Sequence, residues 1–437
     1  MGLSQIIFLL SFVFASFLFA KNFRRIFRNI NLGKDINRSD NKKLRWKTMI
    51  KVALGQSKMT SRPIAGFFHI LIYVGFVIIN IEVIEIVIDG IFGTHRVLSF
   101  MGSFYSFLIA SFEILAFLVL LACVVFFVRR NFMNIKRFMS SEMKGWPKTD
   151  ANLILVFEVL LMFAFLLMNA ADKQLFLLNT AYYQVDFINP VSQFLIPLID
   201  AISVENLILI ERACWWFHIL GIFAFLNYLV VSKHLHILLA FPNTYYSNLN
   251  SLGKLSNMNS VTEEVKKIMD PNLDPYADNG SEVPERFGVK DVMDLNRIQL
   301  MNAYSCTECG RCTSECPANQ TGKLLSPRKI MMDVRDRIEE VGKNIDSNNN
   351  EFKDDNKSLL NDYISKEEIW ACTSCNACTQ TCPINIDPLS IIIDLRRYLV
   401  MEESSAPMEI NNIFNNIENN GAPWQFSIND KLNWKDE

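Results

Sequence analysis

Two stretches toward the end of the sequence, "CTECGRCTSECP" and "CTSCNACTQTCP", hold eight of its ten cysteines in one repeated spacing. Each is C-x2-C-x2-C-x3-C-P: Cys306, Cys309, Cys312 and Cys316 before Pro317, then Cys372, Cys375, Cys378 and Cys382 before Pro383. Thiolates bind soft metal ions and iron–sulfur clusters. A structural zinc needs only two separated C-x-x-C pairs, and a doubled run of four with a terminal proline exceeds that requirement. Three closely spaced thiolates with a fourth from elsewhere suit a cubane [4Fe-4S] cluster, and the doubling implies two clusters. A disulfide framework fits poorly, because the charge pattern described below puts this half in a reducing cytoplasm. Cys123 and Cys214 stand alone in apolar segments, where a buried thiol is the usual role.

This spacing resembles the bacterial two-cluster ferredoxins, in which the fourth cysteine of each run ligates the other cluster. The resemblance implies one cluster on Cys306, Cys309, Cys312 and Cys382, and a second on Cys372, Cys375, Cys378 and Cys316. Between the runs, "SPRKIMMDVRDRIEEVG" has proline at a helix start and apolar residues at helical spacing, and "DPLSIIIDLRRYLVMEE" after them starts in the same way. This half is therefore predicted to be mainly helical. "DSNNNEFKDDNKSLLNDY" reads as a polar surface insertion.

The elements before the cysteines are of a different kind. Half of the 437 residues are hydrophobic, and apolar runs near Leu3 to Ala20, Pro63 to Ile88, Phe104 to Val128, Asn152 to Ala170 and Leu207 to Val231 each approach the ~20 residues that span a bilayer as helix. The first has no basic residue before it and "KNFRRIFR" directly after, so it is expected to stay as a span. Thirteen Lys and Arg follow the first run between Lys21 and Arg62, and six follow the third between Arg129 and Lys148; the opposite loops carry only Arg96 and Lys173. The positive-inside rule then puts the N-terminus outside and everything after Lys233 in the cytoplasm. A net charge of -2 gives no reason to expect a nucleic-acid partner.

All five histidines belong to this membrane half: His69, His95, His218, His234 and His236. On one continuous helix the 18 steps from His218 to His236 make five full turns, which places both on one face about 27 Å apart, with His234 pointing nearly the other way. Histidines on facing helices of a bundle suit the axial ligands of b-type haems. His69, level with His236, is its expected partner for a first haem. His95, just past the outer end of the second span, is the partner left for His218 in a second. Glu82, Glu85, Asp89, Glu113, Glu158, Glu211 and Arg212 also fall in the spans, where a charge is costly unless paired or wet. Structural pairing, such as Glu211 with Arg212, and proton relay beside a quinone are both open for them.

The pattern W-W-x-H ending at His218, then K-H-x-H with His234 and His236, ahead of a two-cluster domain, resembles the membrane-bound iron–sulfur oxidoreductases related to heterodisulfide reductase. The membrane part of that family is similar to the nitrate reductase gamma subunit. The resemblance implies electron exchange with a quinone, menaquinone or another, through one or two b haems held by His69, His236 and His218. The gamma-subunit pattern puts two ligands ten residues apart on the second helix, but ten past His69 is Ile79, so a distal haem rests on His95 or is absent. Relatives often continue into cysteine-rich domains with a Cys-Cys pair, and no cysteine follows Cys382 here. The expected partner is a separate cytoplasmic cysteine-rich subunit or a soluble dehydrogenase, met by the arm around "NNGAPWQF".

The fold expected is mainly α: a five-helix transmembrane bundle in residues 1–245, a linker in 246–295, a mostly helical dicluster ferredoxin domain in 296–400 and an extended arm in 401–437. The function expected is an electron-transfer subunit between a cytoplasmic donor and the quinone pool, in a bacterial cytoplasmic membrane. No Gly-rich nucleotide loop, nucleophile elbow or P-loop occurs in the sequence. The alternative is a membrane-anchored ferredoxin or redox sensor with no haem and no quinone turnover.

Overall fold

The computed structural model describes residues 2–272 and 286–435, with the side chains of Ile428 and Lys431 left aside. The first half contains α1 (Leu3–Ile30), α2 (Lys42–Met49), α3 (Pro63–Phe92), α4 (Ser103–Asn131), α5 (Trp146–Leu177), α6 (Val204–Leu229), α7 (His236–Tyr245) and α8 (Asn259–Met269). The second contains α9 (Arg297–Ser305), α10 (Arg311–Glu315), α11 (Pro317–Gln320), α12 (Pro327–Ser347), α13 (Lys366–Trp370), α14 (Ala377–Thr381), α15 (Pro388–Met401) and α16 (Met408–Asn420). Among the described residues there is no strand, only isolated bridges from Lys34 to Asn296 and from Leu360 to Ile364.

Helices α1, α3, α4, α5 and α6 are long and apolar enough to cross a membrane, with mean hydropathies of 1.5 to 2.8 over their most apolar windows. At about 1.5 Å per residue all five exceed the ~30 Å hydrocarbon core, so their ends project beyond it. α5 packs on α4 and α6, α3 on α4, and α1 on α3 and α6. Gly90 lets α1 approach, since a Cβ there would stand 2.5 Å from the Phe8 ring. Phe14, Phe17, Val77, Phe163 and Leu209 face outward, as lipid-contacting side chains do.

Two of the acidic residues near the C-terminal end of α3, Glu85 and Asp89, are structural. Asp89 accepts from the backbone N–H groups of Arg96 (2.7 Å) and Val97 (3.1 Å), and Glu85 from Leu98 N–H (2.9 Å) and the Tyr105 hydroxyl (3.0 Å). Arg96 is buried and reaches Asp172 (2.6 Å) and Asn169 (2.7 Å). Glu113 accepts from Asn169, Asn189, Ser192 and two backbone N–H groups, and Glu211 is forked by Arg212. Where no water reaches, each carboxylate must find such donors.

The cysteine-rich domain sits on the opposite end, against the basic loops. Helix α1 continues without a break through "KNFRRIFR", which the sequence suggested as a flanking loop; Arg25 and Arg28 pair with Asp346 of α12, and Asn29 meets the Tyr304 hydroxyl at 2.9 Å. Fully buried Arg328 donates to the Arg137 carbonyl (2.6 Å) and to Glu142 (2.7 Å) in the α4–α5 loop. Helices α12 and α15 start at Pro327 and Pro388 as predicted, capped by the side chains of Ser326 and Asp387.

Three expectations need correction. The stretch 346–363 is not merely a surface insertion: Leu359 and Leu360 are fully buried, and Asp355 pairs with Arg337. Residues 401–437 do not form an extended arm, because amphipathic α16 and a 3-10 turn over Ile428–Lys435 occupy much of them. The 246–295 linker contains α8, and its residues 273–285 lie outside the described residues.

Arg337 is 0% exposed and joins Asp291 (2.8 Å), Asp355 (2.5 Å) and the Lys357 carbonyl (2.8 Å). Arg337→Ala leaves two carboxylates without their cation and is expected to cost about 3–5 kcal/mol. The check is the temperature at which iron–sulfur absorbance bleaches in the purified protein, which should fall clearly below that of wild type.

Candidate functional site

The two cysteine runs fold alike because they repeat in sequence. Glu308 and Gly310 in the first, and Ser374 and Asn376 in the second, have φ of 55°, 70°, 57° and 60° at matching positions around the second cysteine. This left-handed pair curls each loop around its thiols. At Gly310 a side chain would also strike Arg328, with a Cβ 2.5 Å from Nη1. A short helix follows each loop, α10 and α14, and the two pack together. That pairing brings the last cysteine of each run toward the other loop.

Cys306, Cys309, Cys312, Cys378 and Cys382 line one small pocket of about 30 Å3. Burial pushes the Cys306 and Cys378 thiols up to about 12 and Cys382 up to about 11, and Cys309 adds to the rise at Cys306 and Cys382. Cys372 feels Cys316 of the other run. Such thiols ionise only with help from a metal, which releases their protons on binding. Backbone N–H groups of Ile386 and Ser374 point at the sulfurs of Cys382 (3.3 Å) and Cys372 (3.4 Å), contacts of the kind that tune a cluster's potential. Among the described residues no group of three or more His, Cys, Asp or Glu converges at single-ion distances.

Both cysteine runs are clamped to the membrane half. Lys58 Nζ donates to the carbonyls of Gln380 (3.1 Å) and Cys382 (3.2 Å), and Arg311 donates to the Lys58 carbonyl (3.0 Å). Lys233, just beyond α6, pairs with Glu308, which Arg335 holds from the other side at 2.7 Å. Burial alone would raise Glu308; Arg335 and Lys233 outweigh it and hold the carboxyl below its usual range.

Behind these clamps lies a cavity of about 590 Å3, within the ~300–1,000 Å3 typical of cofactor sites. It touches Thr307 and Cys309 of the cluster loop and is lined by His69, His218, His234 and His236. The rings of His69 and His236 have centroids 6.4 Å apart. Two imidazoles on opposite sides of one metal, with bonds of about 2.0 Å, stand about 6.3 Å apart by centroid. The Nδ1–H of His236 donates to the Lys233 carbonyl (3.1 Å) and that of His218 to the Leu161 carbonyl (3.1 Å), leaving Nε2 free in each. Burial pushes His236 down and His234 down to about 3, so both are neutral, the ligating form. Arg130 Nε, Arg137 Nε and Nη1, and His69 Nδ1 are buried with no hydrogen-bond partner among the described residues. Unpaired guanidinium nitrogens beside paired histidines fit a planar cofactor carrying carboxylates, which is what a b haem is.

The histidine geometry departs from the sequence argument in two ways. His218 and His236 do not share one helix: α6 ends at Leu229, Ser232 is extended (φ -111, ψ 162) and caps a 3-10 turn over Lys233–Leu235 before α7 begins at His236. His234 is consequently not opposed to His236; the two rings stack at 5.6 Å. His95 does not meet His218. It faces Asp172 at 3.3 Å, lies against Tyr182 and Tyr183, and does not line the cavity. The pull is the outer-end network of Arg96 and Asp172. In the sequence Arg129, Arg130 and Arg137 stand out only as topology signals, and their place at the cavity has no local signature.

Comparison with known proteins bears on the iron–sulfur part of the chain. Residues 302–386 match the family model of the 4Fe-4S dicluster domain, and the domain supports two [4Fe-4S] clusters. Across 99% of its length the chain is 28% identical to the probable iron-sulfur-binding oxidoreductase FadF of Bacillus subtilis, covering 61% of that protein. Across 92% it is 27% identical to the EtfAB:quinone oxidoreductase of Syntrophomonas wolfei, covering 55% of it. The chain thus spans less than two thirds of these relatives. A shorter match, 30% identity over 27% of the chain and 59% of the relative, is to a CoB-CoM heterodisulfide reductase subunit from Methanosarcina acetivorans. No solved structure matches.

The grouping of thiols makes a spectroscopic prediction. Cys309→Ser and Cys382→Ser, from different runs, are expected to abolish or alter the same reduced-cluster paramagnetic resonance signal. Cys375→Ser and Cys316→Ser should affect the other signal.

Proposed function

We propose that this chain is a membrane electron-transfer subunit that relays electrons between a cytoplasmic donor and the quinone pool through two [4Fe-4S] clusters and a b haem. The observation that carries the reading is the continuous cavity from Cys309 to the His69–His236 pair and on to His218. One cluster is assigned to Cys306, Cys309, Cys312 and Cys382, and the other to Cys372, Cys375, Cys378 and Cys316. A haem bound in the cavity would be held by His69 and His236, with Arg130 and Arg137 placed to pair with its carboxylates. A b haem held there supplies a one-electron iron couple at membrane depth. The chain's own part is to fix ligands, exclude water and set spacing.

The likeness to the EtfAB:quinone oxidoreductase supports a quinone as the electron acceptor. Donors approach at the second cluster, where Cys375 is the exposed thiol; a soluble dehydrogenase or a cysteine-rich subunit fills that role. The docking of the cysteine domain on the basic-loop end supports an outside N-terminus and a cytoplasmic cluster domain, in a bacterial cytoplasmic membrane. The nitrate-reductase-gamma-like character of residues 1–245 belongs to the same proposal. A second reading, an anchored ferredoxin without haem, draws on 28% identity over 34% of the chain to a probable membrane-anchored ferredoxin of Chromohalobacter salexigens.

Haem and non-haem iron assays with a reduced-minus-oxidised optical spectrum separate the two. The relay requires a b-type band, one haem and about eight non-haem irons per chain, and His69→Ala or His236→Ala should each remove the haem and leave the clusters. Iron–sulfur absorbance without haem in the wild type would establish the anchored ferredoxin instead.

A further inference from the structure

The large cavity does not end at the His69–His236 pair. On α3 its lining runs from Ala65 to Val83, 18 residues or about 27 Å of helix. Its deeper walls are largely apolar, with Phe76, Ile79, Val119 and Ile222, and they carry two chemically active side chains, Glu158 and His218. We propose that this inner arm is the binding site of the quinone ring, with Glu158 the catalytic carboxyl that exchanges a proton with one ring oxygen and His218 the acceptor of a hydrogen bond from the other once reduction has made it a hydroxyl. The site deepens the relay reading above and rests on it.

Glu158 differs from the other carboxylates in the spans. Glu85, Asp89, Glu113 and Glu211 each have several donors, whereas Glu158 has no hydrogen bond or ion pair among the described residues. Glu82 also has a buried oxygen without a partner, but it does not line the cavity. An acid without a partner at membrane depth is costly to ionise, and such residues mark proton paths. Glu158 lies one helical turn before Leu161, whose carbonyl holds His218, so both side chains address the same space. The titratable groups around it are Cys123 on α4, His218 on α6, and Tyr73 and His69 across the cavity on α3.

His218 is released for this role because no second imidazole opposes it: His95 is engaged by Asp172. With Nδ1–H committed to Leu161, its Nε2 is an acceptor suited to a hydroquinone hydroxyl. Reduction of one quinone takes two electrons, passed singly from the cytoplasmic donor through the clusters, and two protons. Both ring C=O groups become C–OH. The Glu158 O–H breaks as one of these bonds forms, and water from the arginine-lined mouth supplies the second proton and then reprotonates Glu158.

The test uses the full-length protein in detergent, pre-reduced and mixed with menadione while haem reoxidation is followed. Glu158→Gln is expected to keep haem content and slow reoxidation by about 10²–10⁴-fold, with loss of the wild-type pH dependence and partial recovery in Glu158→Asp. His218→Gln should keep one haem per chain. Wild-type rates in Glu158→Gln, or loss of haem in His218→Gln, overturn the site while leaving the relay intact. Wild-type protein with no haem, or with haem that menadione does not oxidise, overturns the relay and the site together.

Discussion

Lys233 links the two halves of the molecule. Its ammonium pairs with Glu308 in the first cysteine loop, and its carbonyl accepts the Nδ1–H of His236. Buried at the joint, this ion pair is expensive to break from either side, so a cluster loop and a haem-ligand candidate are held in one register. Lys58 does the same from the other wall, gripping the Cys382 carbonyl eleven residues before His69. Electron transfer falls steeply with distance. The clamps fix the distance between the cysteine loops and the histidine-lined cavity, which is the distance the proposed relay depends on.

The bilayer imposes the second constraint. Without water, each polar group in a span must be satisfied within the protein, and the half of the bundle far from the cysteine domain largely obeys this through Arg96, Asp172, Glu85 and Glu113, the Glu82 Oε2 and Asn189 Oδ1 atoms excepted. The half that meets the cysteine domain is less satisfied. Unpartnered nitrogens on His69, Arg130 and Arg137 and the unpaired Glu158 surround the cavity. One end of the same bundle is closed and structural, and the other is left chemically open.

Local patterns showed much of this in the sequence. The cysteine spacing, the five apolar runs and the prolines opening α12 and α15 each report a short-range requirement, and each appears in the structure. The helical phase from His218 to His236 was misleading because it assumed an unbroken helix; "VVSKHLH" contains the stop, where Ser232 caps the next turn. The pairing of Arg96 with Asp172, which takes His95 out of reach of His218, spans 76 residues and leaves no local trace. The same holds for the arginines at the cavity. Their charges are visible in the sequence, but the wall they share forms only when the α4–α5 loop meets α12 through Arg328.

Single-turnover kinetics in proteoliposomes test the central claim most directly. Quinone is placed in the bilayer, and a membrane-impermeant reductant is added on the side of the cluster domain. The clusters, the haem and then the quinone are expected to become reduced in that order, and His236→Ala to halt the sequence after the clusters. Quinol formation at the wild-type rate in His236→Ala would overturn the relay.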